Sequence, residues 1–129
     1  MKPRLLFTLI LAVATSTAFA AETRTLAGTV TNTTHEATAP LTLELVMADD
    51  GKITGWIMIE KPLTPGRWPV TGTRKGAWCE VSYQPTPETE VQFRGALSAT
   101  EFRGTYVFGG KGELVQYGRF QAKTTSPAK

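Results

Sequence analysis

The sequence predicts an all-β domain: a small antiparallel up-and-down barrel of about eight strands, with a two-sheet sandwich as the alternative. Three observations carry that expectation. No segment holds a helical period, and short runs of alternating apolar and polar residues recur instead, broken by Gly, Pro, Asp and Thr. The breaks between several runs are only a few residues long, as hairpins require. Run after run also places one glycine on its apolar side, which suits a strongly curved, closed sheet better than a flat one.

The chain opens with a leader. "MKPR" is a short positive start, "LLFTLILAVATSTAF" an apolar run, and Ala18-Phe19-Ala20 a small-x-small processing site. The apolar run is shorter than the roughly 20 residues of a membrane-spanning helix, and no second one follows. The sequence therefore predicts a signal peptide at 1–20, cleavage after Ala20, and a single domain at 21–129 delivered to a periplasm or secreted. No transmembrane segment is expected in the mature chain.

Strands are expected near 24–30, 41–47, 52–59, 67–73, 77–83, 90–97, 101–108 and 113–122. "TNTTHEATAP" reads as a polar loop, "EKPLTPGR" and "QPTPET" as proline-bearing connections, and "TTSPAK" as a loose tail. In "LTLELVMADDGKITGWIMI" a three-residue loop, Asp49-Asp50-Gly51, sets Leu41 against Ile59, Leu43 against Ile57, Leu45 against Gly55 and Met47 against Ile53. A tight turn at Arg74-Lys75 would pair Val70 with Cys79 and Trp68 with Val81. That points Cys79 inward.

The tripeptide Phe-Arg-Gly occurs twice, at 93–95 and 102–104. A turn at Ser98–Glu101 sets Leu97 against Phe102 and Gly95 against Gly104. A turn at Gly109–Glu113 would then set Phe102 against Phe120, Tyr106 against Gln116 and Gly104 against Gly118. Gly95, Gly104 and Gly118 are thus expected to form an interior row across three strands, between core aromatics and outward arginines. Such a row lets a sheet bend, or lets something approach the backbone. Gly28, Gly55 and Gly72 fall on the same side. The pattern resembles, in architecture, small exported barrels such as avidin-like or lipocalin-like domains, whose interior is filled or holds one small ligand; no motif of either family stands among these residues.

Charge narrows the partners. Removing Lys2 and Arg4 from 14 basic residues leaves 12 against 11 acidic ones, a net near +1. No nucleic-acid footprint remains. Cys79 is the one cysteine, so no internal disulfide can form, and a buried inert thiol is favoured over an intermolecular bridge. The one histidine, His35, lies in a polar loop, and no converging set of metal ligands accompanies it. A Cys79–His35 nucleophilic pair needs an accessible thiol, which the inward register denies. Asp49 and Asp50 are explained by the hairpin tip. "FGGKGE" lacks the strand–loop–helix context of a phosphate cradle and reads as a turn, and Asn32-Thr33-Thr34 is a glycosylation sequon with meaning only in a eukaryotic secretory route. No catalytic residue, cofactor or metal is predicted, and a hydrolase has no recognisable constellation.

Binding surfaces remain. The expected register sets Arg103 beside Arg119 on the outer face, with Arg94 one strand over. Like charges directly opposite cost stability, so the pair points to an anionic ligand or an acidic patch on a partner; neutralisation by Glu44, Glu90 or Glu101 is the competing account. Trp56 and Trp78 also fall outward. Arg94, Arg103, Arg119, Trp56, Trp78 and Tyr117 are therefore the candidate partner-binding residues. The leading expectation is an exported binding protein that recognises a protein or cell-envelope component through this face. The alternative is a carrier of a small apolar ligand inside the barrel.

Overall fold

Alternation of period two decides which way each strand faces. From Ala37 to Met47, Leu41, Leu43, Leu45 and Met47 are buried, whereas Thr42, Glu44 and Val46 are half-exposed, as in a sheet with one dry face and one wet one. The computed structural model describes residues 22–110 and 115–125, so the expected leader at 1–20 lies outside the described residues. The strands are β1 (Glu22–Asn32), β2 (Ala37–Met47), β3 (Lys52–Ile59), β4 (Gly66–Lys75), β5 (Trp78–Thr86), β6 (Thr89–Leu97), β7 (Glu101–Gly110) and β8 (Gln116–Thr124). Each pairs antiparallel with its successor, and β8 returns to β1, closing the barrel. Closure excludes the sandwich alternative.

Two hairpins hold the expected register. β2 and β3 pair Leu41 with Ile59 through Met47 with Ile53. Gly51, at φ 91°, takes the left-handed position of that turn, and the Asp50 carboxylate accepts from the Lys52 amide at 3.0 Å. β6 and β7 pair Leu97 with Phe102 and Gly95 with Gly104. There Ser98 closes the turn, its Oγ accepting from the Thr100 and Glu101 amides at 3.3 and 3.2 Å.

Two hairpins differ from expectation. The β4–β5 turn is Gly76-Ala77, not Arg74-Lys75, so Arg74 faces Cys79 and Gly72 faces Val81. Gly76, at φ 61°, makes that turn, and the Arg74 Nε donates to its carbonyl at 2.9 Å. Trp68 pairs with Ile57 of β3 rather than with Val81. Between β7 and β8 the register lies two residues further on: Phe102 faces Ala122, Gly104 faces Phe120, Tyr106 faces Gly118 and Phe108 faces Gln116. The cause is that Gly109 and Gly110 continue β7, pairing with Glu90 and Thr89, instead of turning; the rest of that expected turn, 111–113, lies outside the described residues. Thr124, expected in the loose tail, ends β8, and the Thr125 amide donates to the Thr25 carbonyl at 2.9 Å.

Both slips are even-numbered, so every side chain keeps its face. The interior holds Leu26, Val30, Leu43, Ile57, Val81, Phe93, Phe102 and Phe120, all buried. Phe120 meets Phe93 edge-on at 4.9 Å and Phe102 at 4.7 Å, while Phe93 stacks on Tyr106 at 5.4 Å. Such pairs add about 0.5–1.5 kcal/mol each beyond their burial. A methyl group at Gly95 would strike the carbonyl oxygen of Arg103, and one at Gly104 that of Arg94. The two glycines therefore permit a close backbone approach at the bend, as the repeated tripeptide implied. Among the described residues no helix is long and apolar enough to cross a membrane. The outward positions of β8 carry Tyr117, Arg119, Gln121 and Lys123, unlike the apolar outer band of a membrane barrel.

Candidate functional site

One end of the barrel opens into a pocket of about 190 Å3, at the ends of β1, β3, β5 and β7 and the starts of β4, β6 and β8. Its apolar lining comes from Val30, Ile59, Val91, Phe108 and Pro85, with Leu63 reaching in from the β3–β4 connection. Trp68 forms one wall and stacks on Tyr83 at 4.9 Å with 18° between the rings. Compact apolar walls with a few polar groups are the usual make-up of a small-molecule site.

The polar groups converge from five strands. Asn32 is buried; its Nδ2 donates to Gln116 Oε1 at 2.7 Å and its Oδ1 accepts from the His35 amide at 3.0 Å. Asn32, Gly118 and Tyr106 form one cross-strand row. Because Gly118 has no side chain, the Tyr106 ring rests against its bare backbone, and Asn32 and Tyr106 flank it in the same row. Burial pushes the Tyr106 hydroxyl up to about 12, the nearby Asn32 amide acting in the opposite direction. Burial pushes the Tyr83 hydroxyl higher still, with Tyr106 adding to the effect. Both phenols thus stay protonated at physiological pH. Thr86 and Thr89 share a hydroxyl hydrogen bond of 2.8 Å at the rim. No Asp, Glu, Lys or Arg lines the pocket among the described residues. The site can therefore hold an uncharged group by hydrogen bonds while its walls exclude water from an apolar body.

The residues expected to bind a partner lie elsewhere. Trp78, Arg94, Arg103, Arg119 and Tyr117 occupy the outer face of β5 to β8, in neighbouring cross-strand rows. Trp56 stands apart on β3, half-buried, with Arg67 4.1 Å over its ring and its Nε1 donating to Glu44 at 3.0 Å. Trp78 and Tyr117 are 49% and 59% exposed. Arg103 faces Gln121, not Arg119, and its Nη1 lies 3.9 Å from Glu101. The Arg94 Nη2 donates to Gln92 at 2.6 Å. The expected glycine row is broken, since Gly118 faces Tyr106 and only Gly95 and Gly104 face each other. None of the three has open space beside it: Gly95 and Gly104 lie against each other's strands, and Gly118 lies against the Tyr106 ring and the Thr31 carbonyl oxygen. Cys79 is buried, its thiol pushed up to about 12 by desolvation. His35 is exposed in the β1–β2 turn, at the opposite end from Cys79.

The pocket residues Asn32, Trp68, Tyr83 and Gln116 were not singled out from sequence as a site. The signal was present: inward positions near strand ends on one side of the barrel carry amphipathic or amide side chains where interior positions elsewhere are aliphatic or phenylalanine. No protein-family model and no curated protein matches the chain. In fold the chain is similar to rhizavidin, solved as a rhizavidin–biotin complex, with a TM-score of 0.64 at 14% identity, over 85% of this chain and 98% of that one. The resemblance is one of fold alone.

Proposed function

We propose that the protein binds a small, mainly apolar molecule with an uncharged hydrogen-bonding head in the mouth of its barrel. The observation that carries this reading is the apolar pocket into which Asn32, Tyr83, Tyr106 and Gln116 converge, with no charged side chain among the described residues that line it. Its volume of about 190 Å3 is below the roughly 300 Å3 at which drug-sized sites begin, so the ligand is compact or leaves part of itself outside. Biotin, the ligand of the rhizavidin complex, is the first probe. Export with removal of residues 1–20 belongs to the same proposal and is supported by the leader and its Ala18-Phe19-Ala20 site.

Native mass spectrometry of freshly purified protein is the test. A reproducible adduct that is lost in a Trp68→Ala, Tyr106→Phe double variant is expected. A bare protein whose tryptophan fluorescence ignores biotin and a panel of compact cyclic compounds would count against the reading.

Recognition of a macromolecular partner by the outer face of β5–β8 is a second reading, favoured by the exposure of Trp78 and Tyr117 beside three arginines. Affinity capture from an envelope extract, compared between the wild type and a Trp78→Ala, Tyr117→Ala variant, tests it. Equal capture by both would exclude that face.

A further inference from the structure

The outer face of β1, β8 and β7 carries a second concavity, separate from the barrel mouth. Two cross-strand rows build it: Thr31, Arg119 and Thr105 in one, Thr29, Gln121 and Arg103 in the next. Their side chains wall an open groove of about 390 Å3, floored by the Gly104–Phe120 pair.

The placement of the two arginines gives the groove its chemistry. Residues directly opposite across a pair of strands stand about 4.5–5.5 Å apart at Cβ, where like charges repel. Arg103 and Arg119 are instead diagonal neighbours, each facing an uncharged residue, Gln121 and Thr105. Diagonal positions are about 7–8 Å apart, far enough for two guanidinium forks to close on one anion from opposite sides. Glu101 pairs with Arg103 only loosely, at 3.9 Å, while accepting from Gln121 Nε2 at 2.8 Å. No carboxylate pairs with Arg119 among the described residues. Thr31 shares its hydroxyl with Thr38 at 2.9 Å, and Thr29 and Thr105 offer further hydroxyls to the groove. The set is two planar cations with hydroxyl groups on both flanking strands, which complements a tetrahedral oxyanion.

We propose that this groove binds a phosphate-type oxyanion, either free or as the headgroup of a phospholipid. The site is independent of the barrel-mouth pocket, shares no residue with it and takes ligand of the opposite character: anionic and hydrophilic outside, uncharged and apolar inside.

Amide-resolved NMR of the purified protein tests this, with inorganic phosphate titrated against sodium chloride at matched ionic strength. Saturable shifts are expected at Thr29, Thr31, Gly104, Thr105, Arg119 and Gln121. Arg119→Gln should weaken phosphate by about tenfold or more, as loss of a charge-assisted fork implies. Arg67→Gln, on the outer face but away from the groove, should leave it unchanged, and unaltered melting curves confirm that both variants fold. Vesicles of phosphatidylglycerol and of phosphatidylcholine then distinguish the sources. Line broadening with the anionic vesicles alone identifies the headgroup, and none identifies the free ion. Shifts reproduced by chloride, shifts retained in an Arg103→Gln, Arg119→Gln variant, or a vesicle response without a phosphate response would each overturn the proposal.

Discussion

The ring of Tyr106 on β7 rests against the bare backbone of Gly118 on β8, so closely that a methyl group at 118 would fall on the ring edge and on the Thr31 carbonyl oxygen. One missing side chain thereby sets the position of a hydroxyl in the barrel mouth. Gly118→Ala should destabilise the fold by about 1–3 kcal/mol through overpacking. It should also displace Tyr106 and weaken ligand binding, effects read by urea unfolding and by native mass spectrometry.

Removing only the hydroxyl separates binding from packing. Tyr106→Phe keeps the ring stacked on Phe93 at 5.4 Å and should change stability by about 1 kcal/mol or less. Its affinity for a pocket ligand should fall about two- to tenfold, the worth of a neutral hydrogen bond. Calorimetric titration beside a melting curve checks both halves.

Phe93 sits where the aromatic contacts meet, touching Tyr83, Tyr106 and Phe120. Phe93→Ala should cost about 3–5 kcal/mol. Denaturant unfolding measures it, and a cost below about 1 kcal/mol would mean that the interior can collapse around the gap.

Alkaline pH should destabilise the protein. Cys79 is raised from 9.0 to about 12 and Tyr106 from 10.0 to about 12, both mainly by burial. The folded state therefore holds protons that the unfolded chain releases. That contribution is complete below about pH 9 and is lost as pH rises toward about 12. Urea midpoints should be level up to about pH 8 and lower at about pH 11. In the same range a thiol reagent should label Cys79 only when the chain unfolds.

The barrel and its facing were legible because Leu41 to Met47 and Ile53 to Ile59 alternate without interruption and Gly51 fixes the turn between them. Ser98 did the same for Gly95 and Gly104. Register was illegible where two turns competed. Arg74-Lys75 and Gly76-Ala77 are both short enough, and only the left-handed backbone at Gly76 decides. Gly109 and Gly110 look like a turn in sequence yet complete a ladder with Glu90 and Thr89. The pocket was harder still to see. Asn32 stands two residues beyond the expected end of its strand, and its neighbours in space, Tyr106 and Gln116, come from the far end of the chain.

The way β1 begins and β8 finishes has a practical consequence. Glu22 faces Met47, the Arg24 guanidinium donates to the Ser98 carbonyl, and the Thr125 amide holds the Thr25 carbonyl. Glu22 and Thr125 therefore both lie at the floor of the barrel, remote from Trp68 and Tyr106. Joined to a bead or to another domain just before Glu22 or just after Thr125, the barrel would hold its opening toward the surrounding fluid.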